Sequence, residues 1–313
     1  MKKELADRVL RINMKIKKKR IVLFIMVVIC LSVFTGCDKK YDNIAANKIS
    51  FDYKKNQNHI DKKNKTKFKY KFGVFLNYSG NLKKLNDYET IVIDAQYIKK
   101  KDITAFKAKG HKVYSYINVG SLENCRTYYK KYKKLMLGKY EHWDEECWID
   151  VSSKTWQDFI LKDLSVKLMK KGIDGFFVDN CDVYYVYPQK KIFKGLSVIL
   201  EGLKSKGKNV IINSGNDFLD KYCSEGGNWR KIITGINQEC VFSSINWDDN
   251  TFGEAKKEDQ KFFRNYIEKY GKKGVKIYLI EYTKDQKLIK KIKNYCKKKK
   301  FNYYIAGRLE LDA

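Results

Sequence analysis

From about residue 70 onward, short apolar runs alternate with stretches in which apolar residues recur every three or four positions. The runs are FGVFLN (72–77), TIVIDA (90–95), KVYSYINVG (112–120), GFFVDN (175–180), NVIINSG (209–215), INQECVF (236–242), KIYLIEY (276–282) and NYYIAG (302–307). Runs of this length, rich in β-branched and aromatic residues, read as buried strands, and the stretches between them read as helices. The clearest helix is 154–171, where Trp156, Phe159, Ile160, Leu164 and Leu168 fall on one face behind Ser152 and Ser153 as N-cap candidates. Gly110, Gly172, Gly207 and the GKKG of 271–274 punctuate helix ends just before strands. Eight strand–helix repeats predict an α/β fold, a (β/α)8 barrel, over residues 70–313. A doubly wound open sheet is the alternative, but no GxGxxG follows the first strand to make a nucleotide site.

In a barrel of this kind, chemistry is built where strands end. Asp94 ends the second run, Asp179 the fourth, Asn213 and Ser214 the fifth; Glu239 lies in the sixth and Glu281 near the end of the seventh. Asp94 and Asp150 fit equally well as helix caps, and Glu281 as the partner of a lysine. Asp179 is harder to assign a bland role. It follows Phe176, Phe177 and Val178, and Asn180, Asp182, Tyr184 and Tyr185 come directly after it. Two carboxylates facing each other across a cleft suffice to cut a glycosidic bond, one donating a proton and the other acting as nucleophile or base. Other hydrolytic equipment is thin. His59, His111 and His142 lack HExxH spacing, and none of Cys125, Cys147, Cys181, Cys223, Cys240 and Cys296 stands in a Cys-x-x-Cys pair, so neither a metal nor a cofactor is expected.

The amino-terminal 69 residues differ in kind. Basic residues 15–20 precede the fourteen-residue apolar stretch IVLFIMVVICLSVF (21–34), too short for the roughly 20 residues of a spanning helix. Together with Thr35, Gly36 and Cys37 this reads as a signal peptide over 1–36, its functional start at Met14 if residues 1–13 are an extension. The FTGC junction resembles a bacterial lipobox, which makes Cys37 the lipidation site and the membrane an expected partner on the extracellular side. Simple secretion is the alternative. The lysine- and asparagine-rich segment 37–69 then reads as a flexible tether, and disulfides among the remaining cysteines are open. The formal net charge of +30 is spread along the whole chain without a basic stripe, so binding of nucleic acid is not expected despite the many tyrosines.

Five segments carry a resemblance: YINVGSLENCR (116–126), WIDVSSKTWQDFILKDL (148–164), GIDGFFVDNCDVY (172–184), INQECVF (236–242) and IAGRLELD (305–312). In this order they resemble the successive motifs of glycoside hydrolase family 114, the endo-α-1,4-polygalactosaminidase family of barrel proteins. The resemblance implies a monomeric extracellular enzyme that cleaves galactosamine-containing polysaccharide of the kind found in biofilm matrix. It carries the family's two essential carboxylates onto Asp179, taken here as nucleophile, and Glu239, taken as general acid/base, with the two roles exchangeable. Glu123 and Arg126 match a polar loop and Asp150 a WID motif, whereas Ser121 stands where an acidic residue is usual and Cys125 where an aromatic is usual. Tyr116, Tyr184, Trp247 and Tyr282 are candidate sugar platforms. Asn180, Asp182, Asn213 and Asn237, with Asp94 and Glu281, are candidate sugar contacts. An acidic mouth built from Asp94, Asp150, Asp179, Asp182, Glu239 and Glu281 would offset the basic exterior toward a cationic polymer. The alternatives are a barrel glycosidase acting on another α-glycan and a non-catalytic lipoprotein that binds wall polysaccharide.

Overall fold

The computed structural model describes residues 68–141 and 143–312. The expected leader, Cys37, nearly all of the tether, His59 and His142 lie outside the described residues. The first strand, β1, is Tyr70–Phe75, followed by β2 (Tyr88–Ile93) and β3 (Lys112–Asn118). A three-stranded antiparallel excursion comes next, β4 (Ser121–Glu123), β5 (Met136–Lys139) and β6 (Glu146–Ile149), in the order β4-β6-β5. The parallel strands resume with β7 (Gly175–Asp179), β8 (Asn209–Asn213) and β9 (Gly235–Glu239). A hairpin, β10 (Ser243–Asn246) with β11 (Thr251–Glu254), precedes β12 (Lys276–Tyr282) and β13 (Asn302–Ala306).

Eight strands pair in parallel in the order β1-β2-β3-β7-β8-β9-β12-β13, and β13 lies beside β1. Each of the eight apolar runs is thus one strand of a (β/α)8 barrel, and the doubly wound alternative falls away. The period-two alternation of a strand sorts side chains into two sets. Phe72, Val74, Val92, Tyr114, Tyr116, Phe177, Ile211, Tyr278 and Ile280 fill the lumen. Ile91, Ile93, Val113, Ile117, Phe176, Val178, Val210, Ile212 and Ile236 point outward into the helical layer.

The helix expected at 154–171 forms, with Trp156, Phe159, Ile160, Leu164 and Leu168 all buried. It begins as Lys154–Asp158, widens to a π-helical turn over Phe159–Leu164 and returns to α over Ser165–Lys170. Ser153 occupies the N-cap position without a side-chain cap. Asp150 instead accepts from the Ser152 amide and hydroxyl at 3.0 and 2.5 Å, closing a turn ahead of the helix and capping none of the helix amides. Gly110, Gly172, Gly207 and Gly274 all take positive φ, closing helices before β3, β7, β8 and β12. The six cysteines beyond residue 68 are free thiols, so no disulfide crosslinks the described residues.

Glu281 settles how the hairpin is attached. It lies between the lumen-facing Ile280 and Tyr282, so its side chain points out of the barrel and is fully buried. Its carboxyl accepts from the Phe242 amide, the Ser243 amide and the Ser243 hydroxyl, anchoring the start of the hairpin rather than facing a sugar. Burial pushes its pKa from 4.5 up to about 7. A raised folded-state pKa means that stability from this group is complete below the unfolded value and is lost as pH climbs through the folded one. Denaturant unfolding at pH 5 and pH 8 is therefore expected to show a drop at the higher pH that shrinks in Glu281→Gln. Glu281→Ala, which orphans three donors, is expected to cost about 3 kcal/mol at pH 5 and less at pH 8.

Candidate active site

Three adjacent strands end in polar residues that face the lumen: Asp179 on β7, Asn213 on β8 and Glu239 on β9. The residue after each is left-handed, with φ of 63° at Asn180, 57° at Ser214 and 53° at Cys240. Asparagine tolerates this conformation, but for Ser214 and Cys240 it costs about 1 kcal/mol each. The surrounding ladder holds these kinks in place. The Ser214 amide donates to Asn237 O at 2.8 Å and the Cys240 amide to Ile280 O at 3.0 Å. Gly120 makes room for the first kink, because a Cβ there would stand 1.8 Å from the carbonyl oxygen of Asn180.

The centre of the site is one amide. Asn213 Nδ2 donates to Asp179 Oδ1 at 3.0 Å and to Glu239 Oε1 at 2.7 Å. Asn213 Oδ1 in turn accepts from Asn237 Nδ2 at 2.7 Å, and the in-register pairing of Asn213 with Asn237 puts them side by side. That bond fixes which end of the Asn213 amide faces the carboxylates. Asn237 is fully buried beneath the site, so it orients Asn213 and does not meet solvent.

Each carboxylate has further donors. Asp179 Oδ1 also accepts from the Asn180 amide at 2.9 Å, and Glu239 Oε2 from the Tyr282 hydroxyl at 2.7 Å. Burial raises the Asp179 pKa, while Asn213, Asn180 and Tyr116 favour the ionised form. Burial also raises the Glu239 pKa, and the charge of Asp179 pushes it the same way against Tyr282 and Asn213. The repulsion is mutual, so the two carboxyls titrate as a pair in which one holds its proton while the other is ionised. Asp182, which accepts from the Gly215 amide at 3.2 Å, is raised by burial to about 7.

Two groups that the strand pattern does not reveal enter from the excursion after β3. Tyr140 stacks on Trp148 with ring centroids 4.3 Å apart and donates to Asn180 Oδ1 at 3.0 Å. Glu146 accepts from the Ser121 hydroxyl at 2.7 Å and is raised by burial, and next by Glu123, to about 8. The only sequence signal for either was the acidic and aromatic richness of 140–148.

Other expected site residues lie elsewhere or do other work. Arg126 pairs with Glu123 through two bonds of 2.6 and 2.8 Å and with Asp94, and its guanidinium lies 5.6 Å from the centre of the Tyr116 ring. This buried triad braces Tyr116 from behind. Asp150 pairs with Lys191 at 3.0 Å. Tyr184 is buried against Phe193 and Phe218 as core, leaving its neighbour Tyr185 the exposed member of the pair. Trp247, exposed at the hairpin tip, meets the exposed Trp143 edge to face at 6.0 Å. Of the six acidic residues expected at the mouth, Asp179, Asp182 and Glu239 gather there, joined by Glu146. None of these four forms an ion pair among the described residues.

A sequence profile described as Glycoside-hydrolase family GH114 matches residues 52–312, in agreement with the resemblance carried by the motifs. Among curated proteins nothing matches. The solved glycoside hydrolase domain of PelA from Pseudomonas aeruginosa is similar at a TM-score of 0.65 and 15% identity, the alignment covering 78% of this chain and 96% of that one. Ega3 from Aspergillus fumigatus, solved in complex with galactosamine, is similar at 0.61 and 18% identity, over 80% of this chain and 95% of that one. At such identities the likeness concerns the barrel fold.

Removing the shared amide tests the geometry without any substrate. In Asn213→Ala both carboxylates lose a donor to their charged forms, so the Asp179 and Glu239 midpoints in a carboxyl 13C NMR titration are expected to rise, each by about one pH unit. Unmoved midpoints would show that the amide does not govern the pair.

Proposed function

Because the chain belongs to glycoside-hydrolase family GH114 and is a glycoside hydrolase, we propose that it cleaves α-1,4-linked galactosamine-containing polysaccharide by double displacement, with Asp179 as nucleophile and Glu239 as general acid/base. The bridging amide of Asn213 carries this reading. With one nitrogen 3.0 Å from an oxygen of Asp179 and 2.7 Å from an oxygen of Glu239, the two oxygens stand no farther apart than the sum of those distances. A nearest-oxygen separation of that size favours the about 5 to 5.5 Å carboxyl spacing of retaining pairs over the roughly 6.5 to 9.5 Å of inverting ones.

The steps follow from the proton bookkeeping at the pair. Ionised Asp179 attacks the anomeric carbon while protonated Glu239 gives its proton to the departing glycosidic oxygen, forming a glycosyl ester on Asp179. Glu239, now a carboxylate, takes a proton from water, which attacks the same carbon and releases Asp179. Two inversions return the α configuration. Charge supports the choice of substrate. A deacetylated amino sugar is a cation, and Asp179, Asp182, Glu239 and Glu146 concentrate acidic groups at the mouth of a chain whose net charge is +30. The Ega3 complex with galactosamine points to the same sugar. The leader and the FTGC junction support export and lipid attachment at Cys37, which would hold the barrel on the outer face of the membrane near such a matrix.

Asp179→Asn and Glu239→Gln are each expected to keep the circular dichroism spectrum and to lose at least about 10³-fold in hydrolysis of partly deacetylated α-1,4-galactosaminan, with α-glucans untouched by any form. The sugar first released should be the α anomer by proton NMR, and a β product would remove the double displacement. The pH profile should be bell-shaped, with both limbs above the usual carboxylate range because both pKa values are raised. Cys37→Ser should abolish incorporation of labelled fatty acid.

A further inference from the structure

We propose that Ser121 is a positioning residue for the nucleophile, joining Asp179 to Glu146 on the inserted sheet through a hydrogen-bond relay with a fixed proton direction. A serine hydroxyl has one proton to give and two lone pairs to fill. At Ser121 both lone pairs are taken, by Asn118 Nδ2 at 2.7 Å and Asn180 Nδ2 at 3.0 Å. Its proton is therefore committed to Glu146 Oε2, 2.7 Å away. The hydroxyl is buried and its directionality is saturated, so it cannot turn to another partner.

Both amides that converge on Ser121 lead to Asp179 by separate routes. Asn180 donates its backbone amide to Asp179 Oδ1 at 2.9 Å while its side chain is clamped between Ser121 and the Tyr140 hydroxyl. That clamp holds a residue whose backbone is left-handed at φ 63°. Asn118 sits level with Asp179 across the β3–β7 pair, and its Nδ2 also reaches the Tyr116 hydroxyl at 3.1 Å. The same Tyr116 favours the ionised form of Asp179. The Ser121 amide donates back to Asn118 Oδ1 at 3.0 Å, closing the circuit and fixing the Asn118 amide end for end. Loss of the hydroxyl frees both amides together and weakens two donors to the charged carboxylate.

Glu146 is needed as an acceptor, and its charge is dispensable. Burial and the neighbouring Glu123 keep it largely protonated at neutral pH, and a carboxylic acid still accepts through its carbonyl oxygen. A glutamine accepts in the same way and a leucine cannot. The groups facing Asp179 that a titration must account for are Glu239 and Tyr282 from β9 and β12, Tyr116 from β3, Glu123 and Glu146 from the inserted sheet, and Cys181, Asp182 and Tyr140 from the flanking loops.

The role of Asp179 rests on the function proposed above, so the test reads the carboxyl itself as well as turnover. In the full-length chain, 13C NMR titration of the Asp179 carboxyl, assigned by Asp179→Asn, should show its midpoint rising by about one pH unit in Ser121→Ala and in Glu146→Leu. Ser121→Thr, which keeps the hydroxyl, and Glu146→Gln should stay within about 0.3 of the unmodified protein. On galactosaminan, the damaging pair should lower kcat by about tenfold or more with KM unchanged, and should move the acidic limb of the profile upward by the same amount as the NMR midpoint. An unmoved midpoint in Ser121→Ala overturns the relay. Equal damage by Glu146→Gln and Glu146→Leu overturns the assignment of Glu146 as acceptor. If the unmodified chain leaves galactosaminan intact, the substrate reading fails, while the NMR midpoints still decide the relay.

Discussion

A single side-chain amide, held end for end by a second one below it, keeps two carboxylates close that would otherwise repel each other. Asn213 can do this only because Asn237 occupies its oxygen, and Asn237 is in place because β8 and β9 pair in a register that sets the two residues side by side. The packing of the barrel is thereby converted into a carboxylate spacing. Like charges at this distance would part if the strand ends were free to move. They are not free, because the ladder runs on to the kinked residues Ser214 and Cys240 and the lumen below is filled by Phe177, Ile211, Tyr278 and Ile280.

Much of this was legible in the chain before any coordinates. Each apolar run became a strand because burial on both faces demands continuous hydrophobic sequence, and each glycine before a run closed a helix. Asp179 and Glu239 stood out because a carboxylate at the end of such a run needs either solvent or a partner. The legible part ended where position along the strand stops determining direction. Glu281 looked equivalent to Glu239 as a sequence feature, yet alternation from Tyr282 turns it out of the barrel, where it ties down a hairpin. Tyr184 and Tyr185 are neighbours in the same short helix, and only the fold says which one faces the core. Glu146 and Tyr140 were invisible because the inserted sheet delivers them, and its register is set by pairing with β4 rather than by local pattern.

The charge distribution makes sense in layers. The outermost acidic residues are matched by lysines, as in Asp150 with Lys191, and these exposed pairs contribute little. Deeper in, Arg126 consumes Asp94 and Glu123, so what resembled a broad acidic mouth contracts to a few carboxyls crowded around the strand ends. Their crowding, together with burial, lifts their pKa values, so several share protons near neutrality instead of all bearing charge. A cation entering such a site meets groups ready to ionise in response to it.

The left-handed residue that follows each of β7, β8 and β9 bears on how such a rim can change over evolutionary time. The direction of a side chain at each strand end is set by strand alternation, the chain turning away just after it, and an aspartate, an asparagine and a glutamate occupy equivalent places in this chain. The rim therefore behaves as a row of uniform sockets, in which the backbone holds each position alike whatever side chain occupies it. A scaffold with that property can acquire new chemistry one substitution at a time.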